Sequence, residues 1–210
     1  MSSRRRGDEL LTVDLGTQSL RLVAYDNTGR RQWAWSAPVD SHIDGDVYEQ
    51  SPEQWESLLL QGLQEAQHAG VKPLAIAAAG TLAGYVAVGS DGRSLGAATM
   101  YPDRRATGQV SRVSQVLRAV GNDDGLRVHA ADPLPQWLDL VARTPEKARH
   151  TSHFLDSTGW LNHLLSGEST LNAFTGLRLY DANVRKALSV DNAPFGRIVK
   201  VGQEVGEMRP

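Results

Sequence analysis

Leu10-Leu11-Thr12-Val13-Asp14-Leu15-Gly16-Thr17-Gln18-Ser19-Leu20-Arg21-Leu22-Val23-Ala24-Tyr25 decides the fold. It reads as an apolar strand ending on an acid, a Gly-Thr-Gln-Ser turn, and a second strand. One carboxylate at the mouth of a hairpin, beside backbone N–H and hydroxyl groups that point outward together, makes a nest for phosphate oxygens and an anchor for a hydrated cation. Taken alone, the tetrapeptide from Asp14 to Thr17 also fits an ordinary turn, because Gly tolerates positive φ and Asp and Thr bond their own backbone. The rest of the chain has to decide between the two.

Its 210 residues suffice for one large domain or two small ones. With 40% hydrophobic and 22% charged residues, the composition is that of a globular protein. A formal net charge of -2 gives no electrostatic reason to expect nucleic acid or an anionic membrane as partner. Ser2-Ser3-Arg4-Arg5-Arg6 opens like a signal peptide, but the apolar run after it reaches only from Leu10 to Val13. A secretory segment needs about 7 to 15 apolar residues, so residues 1–8 read as a disordered tail. No stretch approaches the roughly 18 apolar residues of a membrane span. The absence of cysteine excludes disulfide and thiolate chemistry and fits a cytoplasmic protein.

Beyond the opening hairpin, Asp26-Asn27-Thr28-Gly29 supplies a turn and residues 32–37 a third strand, giving an antiparallel meander at one edge of a mixed sheet. Residues 41–50 are polar and read as a loop. Ser51 then caps a helix with Pro52 at its first position and Gln54 completing a capping box; Trp55, Leu58, Leu59, Leu63 and Ala66 share one face, and Gly70 ends it. Residues 74–79, an apolar run between Pro73 and Gly80, read as a central parallel strand covered on both faces. A second hairpin follows, its strands at residues 85–88 and 96–100. Helices are expected at residues 108–120, with Val110, Val113, Val116, Leu117 and Val120 inward, and at residues 135–142, with Trp137, Leu138 and Val141 inward; residues 121–125 form the loop between them. His150 and His153 lack a convergent acid cluster and read as structural or solvated, and the five tryptophans read as core.

Three strands, a helix and a strand is the order of the ribonuclease-H-like half of sugar kinases, actin and related ATPases. The sequence resembles the N-terminal domain of the FGGY family of carbohydrate kinases, most of all its xylulokinase-like members. Residues 14–21 are similar to the family's first phosphate motif, and Tyr48-Glu49-Gln50-Ser51-Pro52-Glu53-Gln54-Trp55 to the segment entering its first helix. Residues 76–85, Asp91-Gly92 and Tyr101-Pro102-Asp103-Arg104-Arg105-Ala106 resemble its strand, hairpin and following turn, and residues 157–168 a later helix. The matches are collinear.

The resemblance implies a ribonuclease-H-like, actin-like lobe over residues 9–210, with a mixed sheet, an antiparallel three-strand meander and flanking helices. ATP and Mg²⁺ are the implied cofactors. Gly16, Thr17, Gln18, Ser19 and Arg21 would meet nucleotide phosphates, and Asp14 would hold Mg²⁺ through water. Leu82, Ala83, Tyr101 and Asp103 would face the acceptor, a sugar or polyol, with Arg105 orienting Asp103. Leu82 and Ala83 stand where xylulokinase-like members carry Met-His, so they can shape a pocket but not bond a hydroxyl. Gly159 replaces a usual Asp, and Gln136 a common Lys. The family's catalytic aspartate is expected beyond Pro210, as is the adenosine-binding C-terminal lobe. A lobe of this kind is expected to be inactive alone and to self-associate through its exposed inter-lobe face. The alternatives are a non-catalytic remnant or binding module with the same fold, and another actin-like ATPase or a sugar-kinase-like regulator.

Overall fold

The computed structural model describes residues 9–121, 127–177, 179 and 181–209. The tail expected at residues 1–8 and most of the loop expected at 121–125 lie outside the described residues.

The opening hairpin forms as β1 (Glu9–Leu15) and β2 (Ser19–Tyr25), and β3 (Arg31–Pro38) adds to β2 in antiparallel fashion. Leu11, Val13, Leu15, Leu20, Leu22 and Ala24 are buried on one face of this sheet, as a period of two requires. Residues 41–50 are not a loop. They form β4 (His42–Asp44) and β5 (Val47–Gln50), an antiparallel hairpin turning at Gly45, whose φ of 56° suits glycine.

Helix α1 (Pro52–His68) starts as expected: the Ser51 side chain accepts from Gln54 N at 3.1 Å. The capping box is half made, because the Gln54 side chain bonds Asp40 instead, donating from Nε2 to Oδ2 at 2.8 Å and accepting from its N at 3.0 Å. Strand β6 (Pro73–Gly80) pairs in parallel with β1, giving the order β3-β2-β1-β6. It is therefore an edge strand among the described residues, not a central one. Ile76 and Ala78 pack on the core while Ala75, Ala77 and Ala79 stay exposed and Leu74 is 79% exposed.

Strands β7 (Tyr85–Val88), β8 (Ala98–Thr99) and later β9 (His153–Asp156) build a second sheet of order β4-β5-β8-β7-β9. Its β7–β9 part is covered on both faces, whereas β4 is exposed throughout. Val86, Val88, Ala98, Met100 and Leu155 join the core of the first sheet with Trp55 of α1 and Trp160 and Leu161 of α5 (Ser157–Ser166). Tyr85, Ala87 and Phe154 pack into a second core with α2 (Thr107–Ala119) and α3 (Pro133–Arg143). In α2, Val113 and Leu117 are buried, but Val120, just past its end, is 39% exposed; in α3, Trp137 and Leu138 are buried with Leu134, while Val141 turns outward. Short elements complete the fold: α4 (Pro145–His150), β10 (Thr170–Asn172), α6 (Ala173–Leu177), α7 (Ala182–Ala187) and β11 (Arg197–Val199). All five tryptophans lie in or against the two cores.

The two sheets meet where β6 ends against the start of α5. A Cβ on Gly80 would overlap Ser157, and the close approach lets Gly80 N donate to Thr158 Oγ1 at 2.9 Å and Ser157 Oγ to Thr81 O at 2.6 Å. The buried Asp156 caps α5 through Gly159 N at 2.7 Å and accepts from Asn172 N and Nδ2 at 3.0 and 2.7 Å. Its carboxyl is pushed above the usual range by burial, against the pull of those bonds. Gly159 has a steric reason to be glycine here, because a Cβ would overlap the Thr170 carbonyl.

His163 of α5 stacks on Trp160 at 5.6 Å, meets Gly92 O at 3.0 Å through Nε2 and faces Ser169 Oγ at 3.3 Å through Nδ1. Burial, the largest cause, holds its imidazole below the ordinary value despite the Gly92 bond. The unfolded chain then binds the proton more readily, so this group's contribution is complete above about pH 6.5 and is lost as pH falls below it. Urea unfolding at pH 5.5 and 7.5 is expected to show lower stability at the acid end, with a smaller difference in His163→Gln; an equal difference in both proteins would contradict this.

Candidate functional site

The register of β1 on β2 sets the hairpin, pairing Leu15 with Leu20 and Asp14 with Arg21. Both leucines are fully buried, so the turn is held from the core side. Gly16 N donates to Ser19 O at 2.9 Å and closes it. Thr17 and Gln18 lie exposed at its tip, and neither N–H, nor the Thr17 or Ser19 hydroxyl, donates to another group among the described residues. Their carbonyls are engaged: Thr17 O accepts from Gln50 Nε2 at 2.7 Å, and Gln18 O from Val39 N at 3.0 Å. Gly16 is not in the positive-φ region, so its use is spatial. A Cβ there would stand 3.3 Å from the Arg21 guanidinium.

That guanidinium lies over the turn and meets Asp14 at 2.9 Å, with both side chains about half exposed. The residue expected to add positive charge for phosphate and the residue expected to hold the cation are thus one ion pair. Asp14 and Arg21 project from the uncovered face of the first sheet, opposite the face that carries the core.

Around the residues expected to face an acceptor, Tyr85 pairs with Thr99, so the chain segments flanking β7 and β8 bring residues 82–83 toward residue 101. Leu82 is 50% and Tyr101 53% exposed. Ala83 takes a φ of 56°, strained for a residue with a Cβ, and packs against the second core. Asp103 differs from all of these. It is 1% exposed, and its oxygens accept from Tyr48 N at 3.0 Å and from Arg105 N, Nε and Nη2 at 2.6 to 3.1 Å. Arg105 goes on to Glu49 at 2.6 Å. This carboxylate ties β5 to the turn after β8 and presents no open oxygen at a surface. Nearby, burial holds the Lys147 ammonium below its ordinary value.

The hairpin fits a phosphate-bearing cofactor: its turn carries amides and hydroxyls that are unengaged among the described residues, next to a half-exposed carboxylate. For the cation, Asp14 stands alone, with no group of three or more His, Asp or Glu placed for a metal among the described residues. That suits Mg²⁺ held by one carboxylate, waters and the phosphates themselves, rather than by a protein cage. His150 and His153 gather no such group either. Sequence reasoning missed Gln50, buried at 2%, whose Nε2 also bonds Ser41 Oγ at 2.9 Å and whose Oε1 accepts from Trp55 Nε1 at 3.1 Å. A lone Gln in a polar stretch carries no periodic signal. The unexplained feature was its place directly before a helix cap.

The fold is that of the actin-like, ribonuclease-H-like sugar kinases. The crystal structure of xylulose kinase from Rhodospirillum rubrum superposes with a TM-score of 0.84 at 17% identity, over 96% of this chain and 45% of that one. The chain belongs to the FGGY family of carbohydrate kinases, whose N-terminal domain model matches residues 10–210. Among curated proteins it is 26% identical to xylulose kinase of Streptomyces coelicolor, over 99% of this chain and 46% of that protein. It is 28% identical to erythritol kinase of Brucella abortus over 78% of this chain and 33% of that protein. The chain thus spans about half the length of the curated xylulose kinases it matches, and no helix among the described residues is long and apolar enough to cross a membrane.

Asp103→Asn removes the charge that Arg105 N, Nε and Nη2 converge on. Breaking such a buried pair is expected to cost about 3 kcal/mol by urea denaturation; a loss below roughly 0.5 kcal/mol, the scale of an exposed pair, would show the cluster to be solvated.

Proposed function

We propose that the chain is the phosphate- and acceptor-binding lobe of a cytoplasmic, ATP-dependent kinase that phosphorylates a hydroxyl of a ketose or polyol, and that it does not turn over alone. The observation that carries the reading is the turn at Thr17 and Gln18. Its carbonyls are bound inward and its N–H groups have no partner among the described residues, beside Asp14, at the matching end of the first strand of a kinase fold. Phosphoryl transfer spreads negative charge over non-bridging oxygens, so fixed donors and a cation are what the reaction needs from this lobe. Asp14 holds the waters of Mg²⁺, Gly16 to Ser19 meet phosphate oxygens, and Arg21 divides its charge between Asp14 and the phosphates.

At the acceptor end, exposed Tyr101 and Leu82 form a wall that packs on the carbon skeleton of a sugar or polyol, with Ala83 setting the turn that presents Leu82. Asp103 serves that wall through Arg105 and β5. A second reading, a non-catalytic binding module, draws on the same place: Leu82 and Ala83 offer no side-chain hydrogen bond, and the Asp103 oxygens are already taken.

Calorimetric titration tests the phosphate site on which the first reading rests. With Mg²⁺ present, ATP and inorganic pyrophosphate are expected to bind with affinities within about tenfold of each other, adenosine not to bind, and Asp14→Ala to weaken both anions at least tenfold. Adenosine binding as well as ATP, or no effect of Asp14→Ala, would overturn the assignment.

A further inference from the structure

We infer that Gln50 is a positioning residue for phosphate binding, one that aims the turn amide of Gln18 from inside the protein. The inference rests on reading the hairpin as a phosphate site. Gln50 is 2% exposed and its amide is fully committed: Nε2 donates to Thr17 O at 2.7 Å and Ser41 Oγ at 2.9 Å, and Oε1 accepts from Trp55 Nε1 at 3.1 Å. The Trp55 indole, itself fully buried, fixes which end of the amide is the donor. A peptide unit is planar and trans, so its C=O and N–H point in opposite directions. Drawing the Thr17 carbonyl inward onto Gln50 therefore turns the Gln18 N–H outward, to the side where Thr17 and Gln18 are exposed.

The same strand carries a second tie. Two residues before Gln50, Tyr48 N is held by Asp103 Oδ2 at 3.0 Å. Strand β5 is thus a strut between the phosphate turn at one end and the turn carrying Tyr101 at the other. Gln50 is its contact with the phosphate end. Without the brace, the exposed peptide between Thr17 and Gln18 is free to rotate, and ordering it falls to the ligand. Fixed donors gain their value from being in place before the ligand arrives.

The test uses the whole 210-residue chain, Mg²⁺ and inorganic pyrophosphate. Gln50→Met keeps the volume and removes the donors; pyrophosphate affinity is expected to fall at least tenfold. Val113→Ala, a cavity in the second core, supplies a variant of lowered stability, and its affinity is expected to stay within twofold of wild type. Equal affinity of Gln50→Met and wild type overturns this inference alone, an equal fall in both variants assigns the effect to general destabilisation and also overturns it, and a wild-type chain without pyrophosphate affinity overturns the phosphate reading with it. A measurement on the wild-type chain needs no variant to fold. The ¹⁵N order parameter of the ligand-free Gln18 amide is expected near ~0.85, as in rigid backbone, and a value below ~0.6 contradicts a held peptide.

Discussion

The pairing of Leu15 with Leu20 governs what the rest of the molecule can offer. Both side chains are fully buried, and in a strand pair a slip of one residue turns every side chain to the opposite face. The core would then lose its leucines and receive Asp14 and Arg21. With the register pinned, those two charges must stand on the uncovered face, opposite each other, and the turn must fall at Thr17 and Gln18. The position of the charged pair is a consequence of apolar packing, and the donors at the turn are a consequence of where the pairing stops.

What the hairpin faces is set by the second sheet. Its close approach at Gly80 joins the end of β6 to the start of α5, and Asp156 anchors that helix from below. The β4–β5 hairpin closes the other side, reaching the turn at Thr17 and Gln18 through Gln50 and the turn carrying Tyr101 through Asp103. Neither turn is held by its own sequence alone. Each is tied to β5 by a buried side chain, Gln50 reaching out to Thr17 O and Asp103 reaching back to Tyr48 N, across residue separations of 33 and 55.

The parts legible in the sequence are those where one local signal points to one structure. Two mostly apolar runs either side of the Gly16–Ser19 turn announce β1 and β2, and Ser51-Pro52 announces α1. Residues 41–50 hid two strands because Asp44, Asp46 and Glu49 make them look like solvated loop, while their pairing is supplied by β8 and by the Asp103–Arg105 cluster. The alanines of β6 conceal which face is covered, since alanine serves either face. Gln54 fits a capping box on paper, but Asp40 of another segment competes for its amide. The turn from Asp14 to Arg21 is readable as a motif. Gln50, which holds that motif from behind, is not, because a hydrogen bond between distant segments leaves no mark in local pattern.

The central claim is that the turn from Gly16 to Ser19 is a preformed anion cradle. Amide chemical-shift mapping of the ¹⁵N-labelled chain with Mg²⁺-pyrophosphate tests it most directly. The largest saturable shifts are predicted at Thr17 and Gln18, with smaller ones at Asp14 and Arg21. Saturable shifts centred on surface lysines and arginines elsewhere, with Thr17 and Gln18 unmoved, would contradict it.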